Sequence, residues 1–192
     1  MGEPVRAPIV CREQFGELLN KLGLLRVAVE IGTDKGVFAA QLLERWQGRL
    51  LICVDPWEDL PEYGGPLSRR PRLPDLLLCC NLLAKFLTGN RVQLLQMTSE
   101  RAARHEEVQQ VLGLIDFVYL DGNHAAEFVR ADIATWWPML AAGGILGGHD
   151  WDMPDVQTAV TEFAEANVLK IQVMPGDAWS WYVEKPRPDV PA

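Results

Sequence analysis

The chain has 192 residues, 48% of them hydrophobic, and its 26 acidic against 18 basic side chains give a formal charge of −8. This is a globular composition, long enough for one domain with a sizeable core, and it excludes a disordered chain. The negative excess repels polyanions and argues against a nucleic-acid partner. No apolar run reaches the ~18 residues of a membrane span.

Met1 to Val10 lacks the basic-then-apolar layout of a secretory signal, so a cytoplasmic, membrane-free protein is expected. Homo-oligomerisation stays open. Residues 1–24 read as an N-terminal helical extension, with helical spacing from Cys11 to Leu22 and a stop at Gly23. Arg26 to Ile31 is a short buried strand, Val37 to Trp46 a helix and Leu50 to Val54 a second strand. Residues 56–74 break the rhythm: five prolines (Pro56, Pro61, Pro66, Pro71 and Pro74) and Gly64-Gly65 mark a loop insertion facing a substrate. Within it, Arg69, Arg70 and Arg72 read as solvated surface.

Beyond the insertion, Asp75 to Leu87 is helical, Arg91 to Gln96 a third strand and Ser99 to Leu112 a helix with an exposed charged face that carries His105. Ile115 to Leu120 is a fourth strand, Ala125 to Leu140 a helix and Gly144 to Gly148 a fifth strand. Val156 to Ala166 is the last helix, and Leu169 to Met174 and Trp179 to Val183 are closing strands. Residues 185–192 form a flexible tail. The β-α alternation predicts a parallel sheet covered on both faces, within one domain spanning 1–192. Cys11, Cys53, Cys79 and Cys80 contain no C-x-x-C pair and read as free thiols, Cys53 as a buried hydrophobe and Cys79-Cys80 as helix packing.

Chemistry concentrates at the strand ends. Glu30-x-Gly32-x-x-x-Gly36 follows the first strand, where glycines permit close approach to a ligand and a helix N-terminus offers free N–H groups. Asp55 closes the second strand, about 20 residues on, where a carboxylate can accept hydrogen bonds from both hydroxyls of a ribose. That spacing also suits NAD, but the turn is not G-x-G-x-x-G and would cradle a pyrophosphate poorly. Asp121 ends the fourth strand in Tyr119-Leu-Asp-Gly-Asn-His124, and His149-Asp150 ends the fifth. Either aspartate alone could cap the helix that follows it; together with His149 they read as a polar site able to hold a divalent cation.

The stretches Glu30–Gly36, Asp55, Asp116–His124 and Leu140–Asp150 resemble class I S-adenosylmethionine-dependent methyltransferases, most closely the small stand-alone group acting on small-molecule hydroxyls. The resemblance runs from about Val27 to Phe163 and includes Pro154–Val160. It implies a Rossmann-like, doubly wound α/β sheet of seven strands in the order 3-2-1-4-5-7-6, the last antiparallel. It implies that Glu30, Gly32, Thr33 and Gly36 hold the methionine end of S-adenosylmethionine, Asp55 its ribose and Met97, Thr98 and Ser99 its adenine, with Asp121 near the transferring methyl. Carboxylates at the positions of Asp121 and Asp150 often bind magnesium in such enzymes. His149 stands where oxygen ligands are commoner and would also suit manganese, iron or zinc. His124 or His149 would serve as general base, and Trp57, Tyr63 and Trp151 could wall an acceptor pocket, with Trp136 and Trp137 in the core. A catalytically silent cofactor-binding module, or a hydroxylase-like enzyme, is the alternative reading of the same fold.

Overall fold

The computed structural model describes residues 5–6, 8–58, 60, 71–174 and 179–187. Tyr63, Arg69, Arg70, most of the expected loop insertion and residues 188–192 of the expected tail lie outside them.

Eight strands form one sheet: β1 (Val5–Arg6), β2 (Val27–Ile31), β3 (Leu50–Asp55), β4 (Val92–Gln96), β5 (Ile115–Leu120), β6 (Leu140–Gly148), β7 (Gln172–Val173) and β8 (Trp181–Glu184). Their spatial order is β1-β7-β8-β6-β5-β2-β3-β4. From β2 onward this is the expected seven-stranded 3-2-1-4-5-7-6 arrangement, with β8 antiparallel to both β6 and β7. The two-residue β1, parallel to β7, adds an edge strand that the sequence pattern does not show.

Period-two alternation sends the strands' side chains into two cores. Ala28, Leu51, Cys53, Phe117, Tyr119 and Ile145 face one side. There they meet α1 (Phe15–Leu22), α2 (Val37–Arg45), α3 (Leu73–Leu82) and α4 (Ala84–Thr88). Val27, Val29, Ile52, Val54, Val118 and Leu146 face the other side. Their cover is α5 (Ser99–Ala103), α6 (Glu106–Gln109), α7 (Ala126–Trp136) and α8 (Pro154–Ala166). Burial on both faces is why these strands read as unbroken apolar runs. Cys53 and Cys79 are buried within the first core, and all four cysteines are free thiols. Among the described residues no helix is long and apolar enough to cross a membrane.

Several boundaries differ from those predicted. The helix from Asp75 to Leu87 breaks at Leu83 into α3 and α4, and the one from Ser99 to Leu112 breaks at Arg104-His105 into α5 and α6. His105 is therefore a helix cap, its Nδ1 accepting from the Glu107 N–H at 3.5 Å. α7 stops at Trp136 because Pro138 cannot continue a helix. The Lys185 ammonium binds the carbonyls of Trp137 and Leu140 at 2.7 Å, so Leu140 opens β6 rather than closing α7.

The N-terminal helix is not an appendage. Phe15 is fully buried among Phe38, Phe117, Tyr119 and Tyr182, with ring centroids 4.9 to 6.3 Å away. Its ring is the hub of the first core, and Phe15→Ala should cost about 3–5 kcal/mol in urea unfolding. A loss under 1 kcal/mol would show that the segment is dispensable to the fold.

Candidate active site at the strand ends

The parallel strands β2, β3, β5 and β6 end on one edge of the sheet, where open α/β sheets bind ligands. The end of β2 is locked to both neighbours: the Asp121 N–H after β5 donates to the Ile31 carbonyl, and the Gly32 N–H donates to the Val54 carbonyl of β3, both at 2.8 Å. Gly32 has φ +87°, and a Cβ there would collide with the Asp121 carbonyl. At Gly36, φ +77°, the Cβ position is filled by the Cys79 sulfur, 2.9 Å away. At both positions positive φ and contact between protein segments already favour glycine.

Above this junction lies a cavity of about 970 Å³, lined on one side by Glu30, Gly32, Thr33 and Asp55 and on the other by Asp121 and His124. Its size is at the upper end of small-molecule sites. Asp55 is clasped from both sides: its Oδ2 accepts from Asp34 N–H at 2.9 Å and its Oδ1 from Trp57 N–H at 2.7 Å. Asp34 and Trp57 both have positive φ, and the Trp57 indole N–H donates to the Asp34 carbonyl at 2.7 Å, closing the clasp. Burial pushes the Asp55 carboxyl above its ordinary pKa, against the pull of those two N–H donors. One lone pair on each oxygen stays available, which suits a pair of ribose hydroxyls.

Arg72 is no solvated surface residue. Its guanidinium binds Asp34 at 2.8 Å, pairs with buried Asp75 at 3.0 Å and stands 4.0 Å from Asp55.

Glu30 lines the same wall and is only 2% exposed. Its Oε2 and the Thr33 hydroxyl are buried without a well-formed protein hydrogen bond, the Thr33 hydroxyl and the Cys53 thiol interacting only weakly with the carboxyl. Burial pushes the Glu30 carboxyl up to about 8, and nearby Asp121 adds to the rise. Unmet acceptors lining a cavity ringed by carboxylates fit a ligand that brings positive charge and N–H donors, as the sulfonium and ammonium of S-adenosylmethionine do.

The opposite wall gathers charge more densely. Ligand atoms of Asp121, His149 and Asp150 lie within 4.8 Å of one another. His149 Nδ1 is 3.2 Å from Asp150 Oδ1 and 3.9 Å from Asp121 Oδ1; His124 Nδ1 is 3.0 Å from Asp150 Oδ2. Asp150 holds φ +55°, and the indole of Trp181 fixes the His149 carbonyl at 3.2 Å. Burial pulls the His149 pKa down, but Asp150 and Asp121 outweigh it and leave the imidazole more basic than usual. Burial also raises Asp121, opposed chiefly by His149. In Asp150 the histidines overcome burial and hold the carboxyl low.

A methyltransferase-domain family profile matches residues 29–151, most of the chain, and ends on the cluster just described. The chain belongs to this methyltransferase family. No curated protein matches it. Solved structures with the same fold include a cofactor-bound protein from MTB, 16% identical with a TM-score of 0.65, covering 97% of this chain and 85% of that one. A candidate caffeoyl-CoA O-methyltransferase from Staphylococcus aureus is 13% identical, with a TM-score of 0.63 and coverage of 93% and 85%. A candidate O-methyltransferase from Klebsiella pneumoniae is also 13% identical, with a TM-score of 0.62 and coverage of 96% and 84%. Family membership makes this an S-adenosylmethionine-dependent methyltransferase.

Other expected site residues lie outside the lining of the cavity. Met97 packs against the second core, Thr98 precedes α5 as its N-cap, and the Ser99 hydroxyl accepts from the Trp136 indole at 2.8 Å. Trp57 and Trp136 are buried, and Trp137 and Trp151 pack on the second core, so among the described residues no tryptophan lines the cavity. The aromatic ring that does line it is Phe38. His149 lines a smaller pocket beside it together with His124. Sequence reasoning missed Arg12 and Asp34, and gave Trp57 a place in an acceptor wall rather than in the Asp55 clasp. The placement of Trp57 two residues after Asp55 was a readable signal for an Asx turn; Arg12 carried none.

The raised Glu30 pKa has a measurable consequence. Its protonated form stabilises the ligand-free fold; that contribution is complete below the ordinary carboxyl pKa and is lost as pH climbs toward about 8. Between pH 5 and 8 the unfolding free energy of the wild type, measured in urea, should therefore fall relative to Glu30→Gln, with a limiting slope of about 1.4 kcal/mol per pH unit. Parallel curves for the two proteins would refute the assignment.

Proposed function

We propose that this methyltransferase acts on a hydroxyl of a small molecule, with residues 1–192 forming one catalytic domain. The observation that carries the reading is the Asp121–His149–Asp150 cluster, whose Asp121 faces the Glu30–Asp55 wall across the cavity. S-adenosylmethionine supplies an activated methyl on a sulfonium, so the protein's task is to align an acceptor oxygen and remove its proton.

The chain's own residues divide that work. Asp55 would bind the ribose, and Glu30 with Thr33 the methionine end, where their orphaned oxygens would find donors. Asp121 would stand beside the transferring methyl. Of the two histidines only His124 lines the main cavity. Its Nδ1 is held by Asp150, which leaves Nε2 as the nitrogen to receive the acceptor's proton. Asp121, His149 and Asp150 fit a divalent cation, which would lower the pKa of a bound hydroxyl. An imidazole in that set suits manganese, iron or zinc as well as magnesium.

Calorimetry should detect S-adenosylmethionine binding, and Asp55→Ala should weaken it about 10- to 150-fold, the worth of a hydrogen bond to a charged group. Unchanged affinity would remove Asp55 from the cofactor site.

In a methyl-release assay against phenols and sugar alcohols, Asp121→Ala should be inactive while its circular dichroism stays that of the wild type. Full activity in that variant would end the assigned role, and activity untouched by thorough chelation would exclude a catalytic cation.

A further inference from the structure

Arg12 reaches the methyl-transfer end of the cavity from outside the residues 29–151 that define the family. The chain holds it there from both sides. Upstream, β1 pairs with β7 at the sheet edge and Ile9 packs into the first core. Downstream, Phe15 is the hub of the buried aromatic cluster. Between them Arg12–Gln14 form a short 3₁₀ turn, with Gln14 N–H donating to the Cys11 carbonyl at 3.1 Å and Val10 N–H to the Gln14 side chain at 2.8 Å.

The Arg12 side chain is about three-quarters buried, and its Nη1 stands 3.3 Å from Asp121 Oδ2. Its guanidinium lies 5.9 Å from the Phe38 ring centroid and also engages the Tyr119 hydroxyl. Asp121 is thereby divided: Oδ2 faces a tethered cation, while Oδ1 faces His149. A positive charge fixed at one oxygen satisfies part of the carboxylate and repels a second cation approaching the other.

We propose that Arg12 is a positioning residue of the methyl-transfer site, a built-in counter-ion that orients Asp121 and competes with a divalent cation for it. The inference rests on the cation reading of the Asp121–His149–Asp150 set. Competition for a shared ligand is reciprocal, so removing the guanidinium must strengthen cation binding, whereas a purely structural role would loosen the site and weaken it.

The test titrates the full chain with Mn²⁺ alone, followed by calorimetry and by the spin-resonance signal of the free ion. Arg12→Gln should bind Mn²⁺ about 5- to 150-fold more tightly than the wild type, the usual span of coupling between sites. Arg12→Lys, which keeps the charge, should stay within a few-fold of the wild type, and Asp150→Asn should lose binding. Arg12→Met, keeping an apolar stem over Phe38, gives the same neutralisation in a different shape if the glutamine variant does not fold. Binding in Arg12→Gln where the wild type shows none would also support the proposal. Unchanged or weaker binding in the neutral variants, with a wild-type site sensitive to Asp150→Asn, would overturn it and leave the cation reading standing. No binding in any variant would overturn both.

Discussion

Where β2 ends it passes so close to the end of β5 that no side chain fits between them, and the geometry of the cavity follows from that contact. Gly32 occupies the gap at positive φ, its N–H bound to Val54 and its missing Cβ replaced by the Asp121 carbonyl. The same junction lifts Glu30 and Thr33 to one side of the crevice and Asp121 to the other. The wall proposed for the cofactor and the wall proposed for the chemistry are thus positioned by one backbone approach, which ties their spacing to the sheet rather than to flexible loops.

On the cofactor wall, polar groups are held at some conformational cost. Asp55 is fixed by two residues in the left-handed region, Asp34 and Trp57, which also bond to each other. Arg72 ties Asp34 to the start of α3, so the helix that follows the proline-rich stretch is electrostatically joined to the side proposed to bind ribose. Glu30 remains buried with an unsatisfied oxygen, a group that stabilises the fold only while protonated and is suited to a cationic ligand.

The chemical wall follows a different logic. Three carboxylate and imidazole groups converge with partners on every side, so charge is shared among His124, His149, Asp150, Asp121 and Arg12 rather than left exposed. Asp121 is the common member, touching both the cavity and the cluster. The N-terminal segment reaches it across the sheet, anchored by Phe15 in the aromatic core.

Most of the fold was legible in the sequence, because buried parallel strands are continuous apolar runs and the helices between them keep an amphipathic period. The boundaries that failed did so for local reasons: Pro138 ended α7 early, and Arg104-His105 broke a helix whose two halves each carried the right period. The site was legible in part. Glu30, Asp55, Asp121 and His149-Asp150 stand at successive strand ends, and parallel topology alone puts those ends on one edge.

The sequence by itself determined the strands and, through the rule that parallel strands end together, which acidic and histidine residues stand at one edge of the sheet; the strand order came from the resemblance to class I methyltransferases. Only the tertiary structure decided that Gly32 and Gly36 sit at positive φ against other segments, that Arg72 is bound into a charge network and that Met97, Thr98 and Ser99 lie outside the lining of the cavity. It alone brought Arg12 to Asp121 across 109 positions of chain. Such contacts depend on how helices pack over the sheet, and no local pattern of residue types encodes a distance between segments so far apart.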